Sequence, residues 1–349
     1  MIKKLDISKF EPINCKMEAG QNGETYLIFD KDGGRIKTEG TPGQLGGVDW
    51  KDAKYIVFDA VNHQDWVMGV TLEFWSKDNR GDEPSLTVTL GLLPGLKTRL
   101  SFPIEALNSQ QMFLDRTPGK LKTVVFGNKV LLDEVDRFAI GTAKCFADQK
   151  LEISNLHLSD IEPDYPLPDV KLVDEMGQFI NRDWPGKTKS LDELKPYLEK
   201  EAAIPDNVTF FDDWSRYGGW KEKKFEGTGY FRTQHDGNRW WLVDPEGYAF
   251  ISIGLDCVRP EISGRVDGIR KLHKWLPEDD GIYSEAWYKN ERGEFFDFAV
   301  ANLIRVFGSE WWDKWARITR RRLIEWGFNT IGNWSSLDFI RFAKLPYVW

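Results

Sequence analysis

Between about residues 26 and 159 apolar and polar positions alternate in short runs, turn residues separate the runs, and helical spacing is scarce. YIVFDA (55–60), VMGVTLEFW (67–75), SLTVTL (85–90), TVVF (123–126), VDRFAI (135–140) and LEISNLHL (151–158) each read as a strand. Period-two alternation places one face of such a strand on a core. Turn signals at KDGG (31–34) and RTPGK (116–120) fall between runs. Many short strands with regular turns predict an antiparallel β-sandwich, of jelly-roll type, over residues 1–160.

The pattern changes at Ile161. IEPDYPLPDV (161–170) holds three prolines, which block regular structure and predict an extended linker, so the domain boundary is expected there. Residues 161–204 read as this linker plus one connector helix. Ser190 can cap LDELKPYLEKEAA (191–203) with Glu193 three residues on, although Pro196 interrupts the pattern. From residue 205 the chain is rich in Trp and Gly. A hairpin is expected around His235-Asp-Gly-Asn238 and a second turn at Asp244-Pro-Glu-Gly247. The run 248–254 is apolar nearly throughout, as in a strand buried on both faces.

Beyond it the order becomes strand, helix, strand. Residues 295–306 (FFDFAVANLIRV) and 311–326 carry apolar residues three and four apart and predict helices. Gly327 ends the second, FNTIG (328–332) reads as another core strand, and LPYVW (345–349) opens a third. Parallel strands joined by helices predict an α/β sheet or barrel. A (β/α)8 TIM barrel takes about 250 residues, so residues 205–349 are expected to be the N-terminal portion of one, an incomplete barrel. The predicted fold class is thus multidomain, β plus α/β.

Composition narrows the function. The net charge of −8 is spread along the chain, which disfavours nucleic acid as a partner, since phosphate binding needs concentrated Lys and Arg. Arg320, Arg321 and Arg322 cluster in a helical pattern and read as its solvated face. No apolar run approaches the roughly 20 residues of a membrane helix, and no membrane partner is expected. The opening MIKKLDISKF lacks the apolar run of a signal peptide. The expected location is cytoplasmic, or secreted if a leader is missing from this sequence. Cys15, Cys145 and Cys257 are widely spaced and argue against disulfides and zinc; reduced, buried thiols are expected. His235 and His273 lack metal-ligand spacing, so no metal and no cofactor are expected. Sixteen tryptophans are the anomaly, because flat indole faces stack on the C–H faces of sugar rings.

Side chains just past the C-terminal ends of barrel strands line the active-site face. That rule selects Asp256 and Arg259 after the first strand, with Cys257 between them, and Asn333, Trp334 and Ser335 after the second. Asp256 and Arg259 offer an acceptor and a fork of donors to sugar hydroxyls; an ion pair holding the loop is the alternative. Asn333 and Trp334 combine an amide with a stacking plane, or Trp334 caps the rim. Asp212, Asp213 and Glu246 are carboxylates near aromatics, but none follows a strand on the active-site side. Trp240 and Trp241 are expected to divide between core and solvent. In the sandwich, Trp50, Trp66, Trp75 and Arg99 are candidates for a sugar surface, with a core role for the tryptophans equally open.

NRWWLVDPEGYAFISIGLDCVRP (238–260) and RLIEWGFNTIGNWS (322–335), separated by a stretch containing ANLIRVFGSEWWDKW (301–315), resemble the β-agarases of glycoside hydrolase family 50. LPGLKTRLSFPIEAL (93–107) and VDRFAIGTAKCFADQKLEISNLHL (135–158) resemble that family's sandwich domain. The resemblance implies a carbohydrate-binding-module-like jelly roll on a barrel that cleaves β-1,4 links of agarose or neoagaro-oligosaccharides with retention. It further implies an acid/base glutamate after the fourth barrel strand and a nucleophile after the seventh. No position here matches either, so no catalytic residue is assigned and this chain alone is expected to be inactive. The residues carried over are the substrate-binding Asp256, Arg259, Asn333 and Trp334, with a galactan polysaccharide or oligosaccharide as partner. A non-catalytic carbohydrate-binding protein and a hydrolase of another galactan are the competing readings.

Overall fold

The computed structural model describes residues 2–114 and 120–349. The chain divides into two compact units, Met1–Lys171 and Leu172–Trp349.

The first unit is built of strands β1 (Ile2–Lys4), β2 (Glu11–Ile13), β3 (Cys15–Ala19), β4 (Thr25–Phe29), β5 (Gly34–Thr41), β6 (Gln44–Leu45), β7 (Val48–Asp49), β8 (Tyr55–Asn62), β9 (Met68–Ser76), β10 (Leu86–Leu92), β11 (Thr98–Pro103), β12 (Thr123–Gly127), β13 (Val135–Thr142) and β14 (Gln149–Ser159). One sheet runs β11-β8-β14-β4-β3 with β1 on β14; the other runs β12-β10-β9-β13-β5-β6-β7 with β2 on β5. The ladders between named strands are antiparallel. Alternation decides which side chains go inward. In β10, Leu86, Val88, Leu90 and Leu92 are buried and the residues between them are not. The two sheets share one core, in which Phe74 meets Phe138 at 5.2 Å and Phe102 at 5.7 Å, and Trp50 meets Phe138 at 5.3 Å. Full burial of such a ring contributes about 1.5–3 kcal/mol. The turn expected at 116–120 lies, apart from Lys120, outside the described residues.

The boundary falls after Lys171 and not at Ile161. The proline-rich segment is tied to the sandwich: Ser159 Oγ donates to the Ile161 carbonyl at 2.7 Å, Glu162 pairs with Lys120, and Arg99 reaches the Asp164 carbonyl. It is therefore a strap on the first unit and not a free linker.

The connector region belongs to the second unit. Helix α1 (Leu191–Ala203) starts where expected, Ser190 Oγ accepting the Glu193 N–H at 3.3 Å, and tolerates Pro196. Its Glu201 is bound by Arg321 at 2.6 Å and Arg322 at 2.9 Å. The arginine cluster is consequently no solvated face. Arg321 is buried between Glu201 and Glu325, and Arg320 pairs with Asp206 at 2.7 Å.

Strands β15 (Trp220–Lys224), β16 (Arg232–His235), β17 (Trp240–Val243) and β18 (Tyr248–Phe250) form an antiparallel sheet in the order β15-β18-β17-β16. The expected single strand over 248–254 is two. The chain leaves this sheet after Phe250 and re-enters a different one as β19 (Gly254–Leu255), because Asn329 intercepts the backbone between them. Nor is the run buried on both faces: Ile251, Ile253 and Leu255 are 58%, 42% and 37% exposed. Next comes a small antiparallel sheet of β20 (Ser263–Arg265), β21 (Trp287–Asn290) and β22 (Gly293–Asp297). Phe295 and Phe296 pair with Tyr288 and Trp287 in it, so the helix expected from 295 starts later. Asp297 accepts the Val300 N–H at 3.0 Å and caps α2 (Phe298–Phe307).

Helix α3 (Trp311–Glu325) leads through Gly327, at φ +78°, to β23 (Thr330–Ile331). Strands β19 and β23 are parallel, Gly254 opposite Thr330 and Leu255 opposite Ile331. After α4 (Leu337–Ala343), Tyr347 bridges Ile331, also in parallel. Ile331, Leu323, Ile324, Phe339 and Ile340 form the core between these strands and helices.

Candidate functional site

The parallel strands end in two loops that bind each other. Leaving β19, Asp256 turns its Oδ1 onto the Asn333 backbone N–H at 2.9 Å, and the Cys257 N–H donates to the Asn333 carbonyl at 2.8 Å. Ser335 Oγ accepts the Val258 N–H at 3.0 Å and donates to the Gly332 carbonyl at 2.8 Å. Such reciprocal bonds fix the spacing of the rim to within a hydrogen-bond length. Gly332 is required beneath Asp256, since a Cβ there would overlap Oδ1 and crowd the Leu255 carbonyl at 2.9 Å. Cys257 and Trp334 have φ of +58° and +60°, conformations that cost about 1–3 kcal/mol and persist where surrounding bonds impose them.

Trp334 stands 74% exposed, and Asp256, Arg259 and Asn333 are exposed beside it. Structure thus brings Asp256, Asn333 and Trp334 to one rim. Arg259 follows Val258 in the same loop, and among the described residues it makes no ion pair with Asp256. Cys257 is exposed and not the buried thiol expected, because its left-handed turn takes it out of the strand.

The opposite end of β23 is structural. Asn329 is buried; its Nδ2 donates to the Gly218 and Ile251 carbonyls at 3.1 and 2.9 Å, and its Oδ1 accepts from the Ile253 N–H at 2.9 Å and Thr330 Oγ1 at 3.0 Å. Asp244, also buried, accepts the Glu246 and Tyr248 N–H groups at 2.9 Å and the Ser215 hydroxyl. Sequence reading passed over both. The turn DPEG marked Asp244, whereas nothing local marked Asn329, whose partners lie up to 111 positions away.

Other candidates are placed as follows. Glu246 pairs with Arg216 at 3.0 Å. Trp240 is 67% exposed, while Trp241 is half-buried under Arg239 at 4.2 Å and donates to Asp236 at 2.8 Å. Lys223 above all, with the Arg239 and Asn238 N–H groups and Trp241, holds the Asp236 carboxyl well below its ordinary range. His235 is exposed against Trp240, and His273 stacks on Phe298 at 6.0 Å. Among the described residues no group of three His, Cys, Asp or Glu could hold a metal ion, and no helix is long and apolar enough to cross a membrane. In the sandwich Trp50 and Trp75 are buried, so neither presents a surface to sugar. Trp66 packs on the exposed Phe146 at 4.6 Å. Arg99 is locked onto Asp59 by two bonds of 2.8 and 3.1 Å, and this pairing raises its pKa.

No protein-family model matches the chain. Curated relatives do: β-agarase B of Vibrio sp. (strain JT0107) is 33% identical over 207 residues, 51% of this chain and 22% of the relative. Over that stretch the chain is similar to β-agarase B. β-Agarase A of the same strain is 29% identical over 208 residues, again 51% of this chain and 20% of the relative. Among solved structures, an exo-β-agarase aligns at TM-score 0.55 and 21% identity over 97% of this chain and 56% of its own, and PfGH50B at TM-score 0.53 and 23% identity over 97% and 54%. The chain spans about half the length of the solved folds it matches and about a fifth of the curated relatives.

Proposed function

We propose that this chain is the sandwich and first barrel strands of an agarase-type glycoside hydrolase acting on the β-1,4 links of agarose. In this reading the first unit is a jelly roll of the carbohydrate-binding-module kind, and β19, β23 and the strand at Tyr347 are the opening strands of a (β/α)8 barrel. The observation that carries it is the 33% identity to β-agarase B, supported by the mutual clamping of the two loops at the strand ends.

The rim residues then have separate tasks. Trp334 offers a plane to the C–H face of a galactose ring. Arg259 donates to hydroxyls and Asn333 both donates and accepts. Asp256, one of whose oxygens already holds the Asn333 N–H, positions that loop and presents its second oxygen. Retaining cleavage needs two carboxyl groups about 5–5.5 Å apart, and no residue of the rim is given that task. The rim accordingly grips galactan. Electrophoresis of the full chain through agarose tests this: retarded migration is expected, and a mobility identical in agarose and polyacrylamide sinks it.

A further inference from the structure

The connection from β19 to α2, residues 256–297, passes the rim at Asp256 and Arg259 and then folds a sheet of its own, β20-β22-β21, before α2 begins. A loop between a parallel strand and the helix after it ordinarily takes about 2–6 residues, so this insertion exceeds what the fold requires. Such loops build the substrate face of a parallel β/α fold. We propose that the outer face of this small sheet, through Tyr288, is a further subsite for the sugar chain gripped at Trp334. The proposal rests on the rim reading above and extends it to a longer substrate.

Alternation along the strands separates the two faces. Trp287 and Phe296, opposite each other, turn inward and meet at 4.7 Å in the core under α2. The next pair, Tyr288 opposite Phe295, turns outward; the rings stack at 4.6 Å and 9°, an arrangement cross-strand neighbours favour. Phe295 thus covers one face of the Tyr288 ring, yet Tyr288 remains 45% exposed, so a flat, oriented surface is left for the C–H face of a sugar. Tyr288 Oη accepts from Ser263 Oγ at 3.3 Å, which leaves its own hydrogen to donate and the Ser263 oxygen to accept, the two roles a sugar hydroxyl needs met. The platform is held from both sides. Asp267 takes Arg265 at 2.8 and 2.7 Å and the Glu294 N–H at 3.1 Å, and Asp297, while capping α2, also takes the Ile262 N–H. Its distance from the rim is bounded by the chain: four residues lead from Arg259 to Ser263, a reach of at most about 14 Å, which a short oligosaccharide bridges.

The test is calorimetric titration of the full chain, as wild type, Tyr288→Ala, Tyr288→Phe and Trp334→Ala, with neoagarobiose and neoagarohexaose. Tyr288→Ala is expected to weaken the hexaose roughly threefold to tenfold, the size of one lost ring contact, and to leave the biose and the melting temperature unchanged. Tyr288→Phe keeps the ring and should stay close to wild type, whereas Trp334→Ala should weaken both sugars. Hexaose affinity that falls with Trp334→Ala but not with Tyr288→Ala overturns the platform and leaves the rim standing. Equal loss of biose and hexaose in Tyr288→Ala overturns it too, since the residue then acts through the rim's shape. Hexaose affinity lowered by Tyr288→Ala and indifferent to Trp334→Ala supports the platform as a contact and removes the rim. No binding of either sugar by the wild type overturns both.

Discussion

The Asp256 carboxylate lies over Gly332 and accepts the Asn333 backbone N–H at 2.9 Å. A side chain at the end of one parallel strand thereby sets the height of the loop that ends its neighbour.

Asp256→Ala should release that loop. Because the site is exposed, the loss of stability is expected to be about 1 kcal/mol, whereas oligosaccharide affinity should fall tenfold or more. Asp256→Asn keeps an acceptor and should recover most of the binding. Calorimetric titration of both variants checks this; equal affinities for Ala and wild type refute the positioning role.

Gly332→Ala places a methyl group where Oδ1 of Asp256 sits. Overpacking of this kind costs about 1–3 kcal/mol, and it should disturb binding as much as Asp256→Ala does. Paired melting and binding measurements reveal whether both effects occur together.

Asn329→Ala removes four hydrogen bonds at a buried position and strands backbone groups of Gly218, Ile251 and Ile253. Each unsatisfied buried group costs about 1–3 kcal/mol, so a loss of at least about 3 kcal/mol is expected, seen as faster amide exchange within residues 172–349 and none within the sandwich.

Glu201 governs an acid limb. Burial raises its pKa, but the hydrogen bonds and charges of Arg321 and Arg322 outweigh that and leave it below the ordinary value. A carboxyl depressed in the folded state contributes stability that is complete above its unfolded pKa of about 4.3 and is lost as pH falls through the folded value. Glu201→Gln should flatten the melting temperature against pH below about 4.3 and cost on the order of 2 kcal/mol at neutral pH. This is less than the about 3–5 for a fully broken buried pair, because Glu325 still holds Arg321.

Ile253 and Leu255 sit on an edge of the parallel sheet that no strand covers among the described residues, and both are exposed. Open apolar edges associate. The chain should bind hydrophobic dye and self-associate in light scattering, and Leu255→Asp should reduce both while shifting stability by no more than about 0.5 kcal/mol.

Local patterns carried the sandwich well. SLTVTL alternates as β10 does, whereas VMGVTLEFW marks β9, which is buried without a break from Val70 to Trp75. Caps were legible where read, as at Ser190, and misleading where apolar composition spoke louder. FFDF looked helical although Asp297 is itself the cap, and Ser336 was passed over as the cap of α4, where it accepts the Phe339 N–H at 3.3 Å. The rim residues followed from one rule about strand ends. Asn329 did not, because its partners Ile251 and Gly218 lie 78 and 111 positions away, which no local spacing encodes.

The central claim is that Trp334 and its neighbours grip galactan. Titration of the chain with neoagarotetraose, with and without Trp334→Ala, tests it most directly. Saturable binding weakened tenfold or more by Trp334→Ala is predicted; no binding, or the same affinity in both proteins, would contradict it.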